Sequence, residues 1–333
     1  MRIFALPVIL LASLVVGADA ACTKPPAGAI IVDQSGDHSD YLTIKDAVGK
    51  LDVDTKKKQT IFIYAGTYSE QVVISKLKSK LVLQGYTCDK MSYDKNEVMI
   101  THKMSQQDVP PHLHGSSNDL ASTLSIDTDK VQVYNLNITN TAVPTPQNGQ
   151  APALSVACKK CAFYACSITG HQDTLFANRG YQFYGRSHVA GTVDFIFGNA
   201  RAWFESCDIE SVGPGYITAN GRGSKDDDSF FVLNKARVSS SLPGKVYLGR
   251  PWGKYARVVF QQCDLGESIN PAGWIPMYED MGTSKVFLKE YKNTGQSSAI
   301  NKRASFSKQS SDPIAISTIL GEDFATFVNK NYL

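Results

Sequence analysis

A recurring pattern of apolar and small residues runs through the middle of the chain. An apolar residue is followed three positions later by a mostly small residue, and two positions after that by an aliphatic residue. The middle residues of the six copies are Leu136, Cys166, Ser187, Cys207, Ala236 and Cys263. They are separated by 30, 21, 20, 29 and 27 residues, and periods in this range are typical of solenoids, propellers and arrays.

The segments between these copies are rich in turns and contain no amphipathic helical pattern of ten or more residues. Turn residues such as Gly170, Gly191, Gly213 and Gly266 close the short β-rich runs. This composition argues against helical repeats and against a βαβ sheet, and the uneven spacing argues against a propeller. We therefore predict an all-β chain that forms a parallel β-helix, in which like positions of successive coils stack into inward ladders.

Both ends of such a stack need covering, because the terminal coils would otherwise expose apolar surface. Residues 43–51 predict a short N-terminal capping helix whose apolar face carries Ile44, Ala47, Val48 and Leu51. Thr43 and Asp46 predict its capping box. The apolar residues of the segment 313–331 predict a C-terminal tail packed on the outside of the coils.

Three of the seven cysteines fall on the small position of the repeat. Because a free cysteine behaves as a small buried hydrophobe, we predict that Cys166, Cys207 and Cys263 are core thiols. Cys158 and Cys161 have CxxC spacing, but no second CxxC completes a zinc site. The pairing of Cys22, Cys88, Cys158 and Cys161 is left open.

The N-terminus has a basic start, a short apolar run and an A-x-A site, which predict a cleavable signal peptide over residues 1–20. We expect a secreted, monomeric protein whose single domain covers residues 21–333. The formal charge of +3 is far from the strongly basic footprint of a nucleic-acid binder. We expect neither a nucleic acid nor a membrane as partner.

Polar residues with catalytic potential are concentrated in a short part of the repeat array. Gln172 and Asp173 follow one copy, Asp194 precedes an apolar run, and Arg250 precedes another copy. Because neighbouring coils lie about 4.8 Å apart, these residues can share one face. A carboxylate next to such an apolar run is paired or functional, and Arg250 is the candidate partner of Asp194. On these residues alone, structural ion pairs or turn caps remain an equal alternative.

Five segments resemble the signature regions of the pectin methylesterase family, and they occur in the family's order. They are residues 66–70, 150–154, 170–175, 194–198 and 248–252. The resemblance extends from Gly28 to the C-terminus and is closest to microbial, single-domain members. It implies a right-handed parallel β-helix and a secreted esterase that removes methyl groups from C6 of galacturonosyl residues in pectin.

The resemblance also implies a role for each matching residue. Asp194 corresponds to the nucleophile, Asp173 to the general acid and base, and Arg250 to the residue that holds the nucleophile. The amides that stabilise the oxyanion are Gln172 and Gln150. The sugar-binding cleft is lined by Trp252, Phe197 and Tyr181, and by His171 where the family usually has tyrosine. Pro152 is a second departure, in the segment that supports Gln150.

These roles require one carboxyl group to be ionised and the other protonated at the same pH. Arg250 favours the charged form of Asp194, whereas burial and the nearby negative charge raise the pKa of Asp173. No metal or other cofactor is expected, because the pair His112 and His114 and the run 226–228 offer too few ligands.

Two other functions remain open. A pectin-active lyase or glycoside hydrolase could use the same fold, although a hydrolase would leave the matched glutamines and arginine without a part. A relative that binds pectin without cleaving it is the second alternative, and the presence of Asp173, Asp194, Gln172 and Arg250 argues against it.

Overall fold

The computed structural model describes residues 22–39, 41–143 and 149–333. The predicted signal peptide lies outside these residues. No helix in this part of the chain is long and apolar enough to cross a membrane.

Short strands make up most of the secondary structure. In chain order they are β1 (Ile30–Val32), β2 (Gln59–Ile63), β3 (Gly66–Ser69), β4 (Val72–Ile74), β5 (Leu81–Gly85), β6 (Val98–His102), β7 (Leu124–Ile126), β8 (Val131–Tyr134), β9 (Asn137–Asn140), β10 (Leu154–Ala157), β11 (Cys161–Tyr164), β12 (Ser167–Thr169), β13 (Leu175–Arg179), β14 (Tyr181–Gly185), β15 (His188–Gly198), β16 (Arg201–Glu205), β17 (Asp208–Asn220), β18 (Phe230–Asn234), β19 (Arg237–Ser240), β20 (Val246–Gly249), β21 (Arg257–Gln261), β22 (Phe287–Tyr291) and β23 (Lys308–Gln309). The α-helices are α1 (Ile44–Val48), α2 (Ser117–Ala121) and α3 (Ile316–Leu320), and 3₁₀ turns cover Tyr93–Lys95, Gln106–Asp108, Phe324–Thr326 and Lys330–Tyr332.

The strands form a parallel β-helix with three walls. The first wall is an eleven-stranded sheet in the order β1-β2-β5-β8-β11-β14-β16-β18-β21-β22-β23. The second wall contains β3, β6, β9, β12 and the first part of β15, and the third contains β4, β7, β10, β13 and the last part of β15. The long strands β15 and β17 pair on both of these walls, so they carry the chain around the corner between them.

The sequence repeat spans the corner between the first and second walls, and its first position forms a ladder on the first wall. The register aligns Val133, Phe163, Tyr184, Phe204, Leu233 and Phe260 on successive coils. The Tyr184 ring stacks between the rings of Phe163 and Phe204, at centroid distances of 5.0 and 4.6 Å. The predicted fold class, coil register and inward ladders are therefore confirmed.

A left-handed turn residue precedes each middle position of the repeat. The residue before each middle position has φ between 47° and 55°; these residues are Asn135, Ala165, Arg186, Ser206, Lys235 and Gln262. This conformation turns the chain sharply from the first wall towards the second. Cys166, Cys207 and Cys263 follow these turns and are fully buried free thiols, as predicted.

Both predicted covers are present. Helix α1 is shorter than the predicted segment 43–51, and Thr43 Oγ1 accepts a hydrogen bond from the Asp46 backbone N–H (3.1 Å). The Glu70 carboxylate accepts two further bonds, from the N–H groups of Ile44 and Lys45 (2.8 Å each). The C-terminal tail packs on the outer face of the first wall through a buried cluster that includes Ile319, Leu320, Phe327, Val328 and Tyr332.

The four remaining cysteines form two disulfide bonds. Cys22 pairs with Cys88 and ties the N-terminal segment to the loop after β5. Cys158 pairs with Cys161 and closes the turn between β10 and β11.

Candidate active site

Two aspartates occupy equivalent positions on adjacent coils of the third wall. The pairing of Leu175 with Ile196 places Asp173 beside Asp194, and the Asp173 backbone N–H donates to the Val193 carbonyl oxygen (3.0 Å). Their φ angles are 61° and 51°. A non-glycine residue in this left-handed region costs about 1–2 kcal/mol, and such strain concentrates at functional sites. The fold therefore holds both acids in a costly conformation, side by side.

Arg250 holds one carboxylate through a two-pronged ion pair. Its Nε lies 2.9 Å from Asp194 Oδ1, and its Nη2 lies 2.8 Å from Asp194 Oδ2. Asp194 contacts the edge of the guanidinium, and one face of the guanidinium covers the Tyr216 ring, 4.2 Å from the ring centroid. Because the guanidinium is planar and fixed on both sides, it sets the orientation of the Asp194 carboxylate.

The surroundings of Asp173 and Asp194 raise the pKa of both carboxyl groups. Burial raises the pKa of Asp173 well above its usual value, and the negative charge of Asp194 raises it further. The positive charge of Arg250 and a hydrogen bond with Gln172 lower this pKa, but they do not outweigh the rise. Burial also raises the pKa of Asp194, and its hydrogen bond and charge interaction with Arg250 oppose that rise. The Arg250 effect on Asp194 has the expected direction, but burial outweighs it, so the pKa of both acids is raised. The acid without an arginine pair holds its proton more tightly.

A cavity of about 380 Å³ opens beside these acids. Seven residues proposed from the sequence line it: Gln150, Gln172, Asp173, Asp194, Phe197, Arg250 and Trp252. Six lining residues were missed: Gln106, Ser117, Asn118, Ala219, Met277 and Tyr278. The stretch between β6 and β7, which carries three of them, is long for a connection in a solenoid. Long insertions of this kind are often functional. The length of this connection was therefore the feature of the sequence that could have indicated these residues.

Aromatic side chains form a platform at the edge of the cavity. Phe176 and Phe197 stack at a centroid distance of 4.6 Å, and the Trp252 ring lies 6.2 Å from that of Phe197. Trp252 is 45% exposed. A Cβ atom at Gly221 would lie 2.7 Å from the Trp252 ring, so glycine is required there for the ring to keep its position. An exposed aromatic face beside polar groups is suited to packing against a sugar ring.

Two residues assigned to the cleft do not line this cavity. Tyr181 lies in β14 on the first wall, where it packs with the C-terminal tail and Arg201 covers its ring at 5.4 Å. The structure therefore does not bring Tyr181 to the cavity, because β14 belongs to the first wall and Tyr181 packs there against the tail. His171 immediately precedes Gln172 but is absent from the cavity lining.

No group of three or more His, Cys, Asp or Glu side chains is placed to hold a metal ion within residues 22–39, 41–143 and 149–333. The polar groups that line the cavity include two carboxyl groups, side-chain amides, two hydroxyl groups and one guanidinium. This set can attack an acyl carbon, stabilise an oxyanion and transfer a proton.

Comparisons with known proteins agree with this geometry. Residues 29–318 match the family model described as Pectinesterase. A pectinesterase from Aspergillus aculeatus is 43% identical over 323 residues, which cover 94% of this chain and 95% of that protein. Among solved structures, a pectin methylesterase from Aspergillus niger superposes with a TM-score of 0.85 at 34% identity, covering 93% of this chain and 99% of that one. Pectin methylesterase from carrot has a TM-score of 0.80 at 30% identity, with 91% and 97% covered.

Proposed function

The chain belongs to the pectinesterase family, and we propose that Asp194 is the nucleophile with which it hydrolyses methyl esters of pectin. The activity is removal of the methyl group from the C6 ester of galacturonosyl residues, which releases methanol and leaves an acidic polymer. The observation that carries the assignment of Asp194 is its two-pronged ion pair with Arg250, beside a second buried aspartate that has no such pair.

In the first half of the reaction, an Asp194 oxygen attacks the C6 carbonyl carbon and a tetrahedral intermediate forms. The side-chain amides of Gln172 and Gln150, which line the cavity with both acids, donate hydrogen bonds to the oxyanion. When the C6–O bond to the methoxy group breaks, Asp173 donates its proton to the departing oxygen. Methanol leaves, and the sugar remains attached to Asp194 as an acyl-enzyme.

In the second half, the Asp173 carboxylate takes a proton from a water molecule, whose oxygen attacks the same carbonyl carbon. The bond between C6 and the Asp194 oxygen breaks, which restores the Asp194 carboxylate and the protonated Asp173. Arg250 orients the Asp194 carboxylate for attack and accepts it again when the acyl bond breaks. Asp173 can act in turn as acid and base because its raised pKa brings it closer to the pH at which the enzyme works.

The platform of Phe176, Phe197 and Trp252 supports binding of the polymer next to the acids. All proposed groups come from one chain, which supports action as a monomer. The predicted signal peptide supports secretion, and so do the two disulfide bonds, because disulfides persist in oxidising compartments.

The proposal is tested by the products formed from highly methyl-esterified pectin. Methanol and new carboxyl groups should appear in equal amounts, with no change in chain length and no ultraviolet absorbance from unsaturated sugar ends. Exhaustive treatment with EDTA should leave the rate unchanged, because every proposed step uses side chains alone.

Unsaturated ends, or falling viscosity without methanol, would indicate a lyase or a glycoside hydrolase instead. Retention of pectin with neither product would indicate a protein that only binds the polymer. De-esterified polygalacturonate serves as the control, since it has no ester and should yield no product.

A further inference from the structure

Four lysines stack at one corner of the β-helix, outside the lining of the proposed catalytic cavity. Lys58, Lys80, Lys130 and Lys160 each directly precede a strand of the first wall, namely β2, β5, β8 and β11. These strands are consecutive neighbours in that sheet, and their register aligns the four positions. We call this set the lysine ladder. Because neighbouring strands lie about 4.8 Å apart, its members follow one another at about this backbone spacing along the axis of the β-helix.

Little negative charge offsets the ladder. Lys160 pairs with Asp323 (2.5 Å), whereas none of the other three is within ion-pair distance of a carboxylate in the described residues. Acids near the lysines in sequence have other partners: Asp54 pairs with Lys78, Asp127 pairs with Arg179, and Asp129 accepts a hydrogen bond from the Lys159 backbone N–H. Burial lowers the pKa of Lys80, and the positive charge of Lys58 lowers it further. Like charges are thus held close together at an energetic cost, a cost that an anionic ligand would remove.

The ladder also borders a pocket. A cavity of about 230 Å³ is lined by Lys80, Lys130, Lys160, Gln132, Thr326 and Phe327. The C-terminal tail forms its opposite side and is fixed there by a hydrogen bond from Gln132 Nε2 to the Phe327 carbonyl oxygen (2.7 Å). Lys130 and Lys160 are themselves turn residues, with φ of 62° and 64°. The Cys158–Cys161 disulfide closes the turn that contains Lys160. The ammonium groups are therefore mounted on a constrained backbone.

We propose that the lysine ladder is a second, non-catalytic binding site for de-esterified galacturonan, the product of this enzyme. That polymer carries one carboxylate on each sugar ring, so its charges recur regularly along a line, as those of the ladder do. The methyl-esterified substrate lacks these charges, so the site distinguishes product from substrate. The ladder and the catalytic cavity share no lining residue. The proposal rests on the esterase activity but not on the role of any catalytic residue.

Such a site retains the enzyme on stretches of polymer that it has already de-esterified. A bound stretch raises the local concentration of neighbouring ester groups around the cleft. Because the contact is between exposed charges, its strength falls as ionic strength rises.

The test compares the affinity of variants for polygalacturonate, measured by affinity electrophoresis at low ionic strength. The double substitution Lys80→Gln with Lys130→Gln is expected to raise Kd about tenfold, because it removes two charge contacts, and to make the dependence of Kd on salt shallower. The charge-preserving pair Lys80→Arg with Lys130→Arg should retain wild-type affinity. The matched control is Lys302→Gln with Lys308→Gln, which removes two exposed lysines near the other end of the coil stack and should leave Kd unchanged.

Methanol release from a short, fully methyl-esterified oligogalacturonide should be the same in all these variants, since this neutral substrate does not engage the ladder. Unchanged affinity in the Lys80 and Lys130 double variant would overturn the proposal, and so would an equal loss in the control. A failure of the proposed esterase function would give a different result. The wild-type protein would then release no methanol from the neutral oligomer.

Discussion

At the scale of single residues, the site depends on two identical side chains in different surroundings. Asp173 and Asp194 share a coil position, a left-handed backbone and the same exposure of 8%. The difference is Arg250, which pairs with Asp194 alone. In the mechanism proposed above, one guanidinium therefore separates the nucleophile from the proton donor, as expected when environment sets the roles of two carboxyl groups.

Replacing Arg250 by lysine should severely reduce methanol release although the positive charge is kept. An ammonium group cannot contact both Asp194 oxygens and cover the Tyr216 ring at the same time. We expect a fall in kcat of about a hundredfold or more, since the carboxylate loses its fixed orientation. A lysine variant as active as the wild type would show that Arg250 does not orient Asp194.

Asp173→Asn should remove activity and, at neutral pH, stabilise the fold. The folded-state pKa of Asp173 is raised above its unfolded value near 3.8. Its contribution to stability is therefore complete below the unfolded pKa and is lost as the pH rises through the folded pKa. An asparagine has no proton to lose, so the gain in Tm should be small near pH 4 and larger near pH 7.

Thermal unfolding followed by circular dichroism at both pH values measures this gain. Asp226→Asn, a change in a loop, is the control and should shift Tm at neither pH. A gain for Asp173→Asn that does not grow with pH would contradict the account of its buried carboxyl group.

At the scale of elements, helix α1 shows what a local pattern can and cannot predict. The apolar spacing and Thr43 were sufficient to predict the helix and its N-terminal cap. The contribution of Glu70 was not predictable, because this residue is 26 positions from Ile44 and meets it only once the coils have stacked. The helix then ends at Val48, before Leu51.

Glu70→Ala should lower the free energy of unfolding by about 1–2 kcal/mol, because two N–H groups of the first helical turn lose their acceptor and the helix dipole loses a counter-charge. Urea unfolding measures the loss, and methanol release by the folded variant should stay at the wild-type level. Glu267→Ala, at an exposed position, is the control. Equal stability of the two variants would show that Glu70 does not cap α1.

Three cysteines occupy the small position of the repeat, and their burial determines how their thiols react. Burial raises the pKa of the Cys166 and Cys263 thiols to about 12, so they should be unreactive at neutral pH. Alkylation in denaturant without reductant should label Cys166, Cys207 and Cys263, and alkylation of the native protein should label none. A disulfide between any two of them, found by mass mapping, would contradict the register of the coils.

At the scale of the whole molecule, the repeat was sufficient to predict the stacking of the coils, because each copy contributes to the same inward ladder. More than half of the residues that line the cavity could be predicted, because they lie in segments within or beside the repeats. Gln106, Asn118 and Tyr278 were missed because they lie on long connections, whose path depends on packing against other coils. Tyr181 was assigned to the cleft although it lies outside the five matching segments, and nothing in its local sequence specified that it would start a strand of the first wall. The lysine ladder is also a property of stacking, since its members are up to 102 residues apart in sequence.

The rate of methanol release by Asp194→Asn tests the central claim most directly. Asparagine keeps the size of the side chain but removes the attacking carboxylate, so the rate should fall by at least about a thousandfold while circular dichroism shows a folded protein. Asp228→Asn, which removes another arginine-paired acid (3.1 Å from Arg201) at the surface, should retain the wild-type rate. If Asp194→Asn keeps as much as about a tenth of the wild-type rate, Asp194 is not the nucleophile.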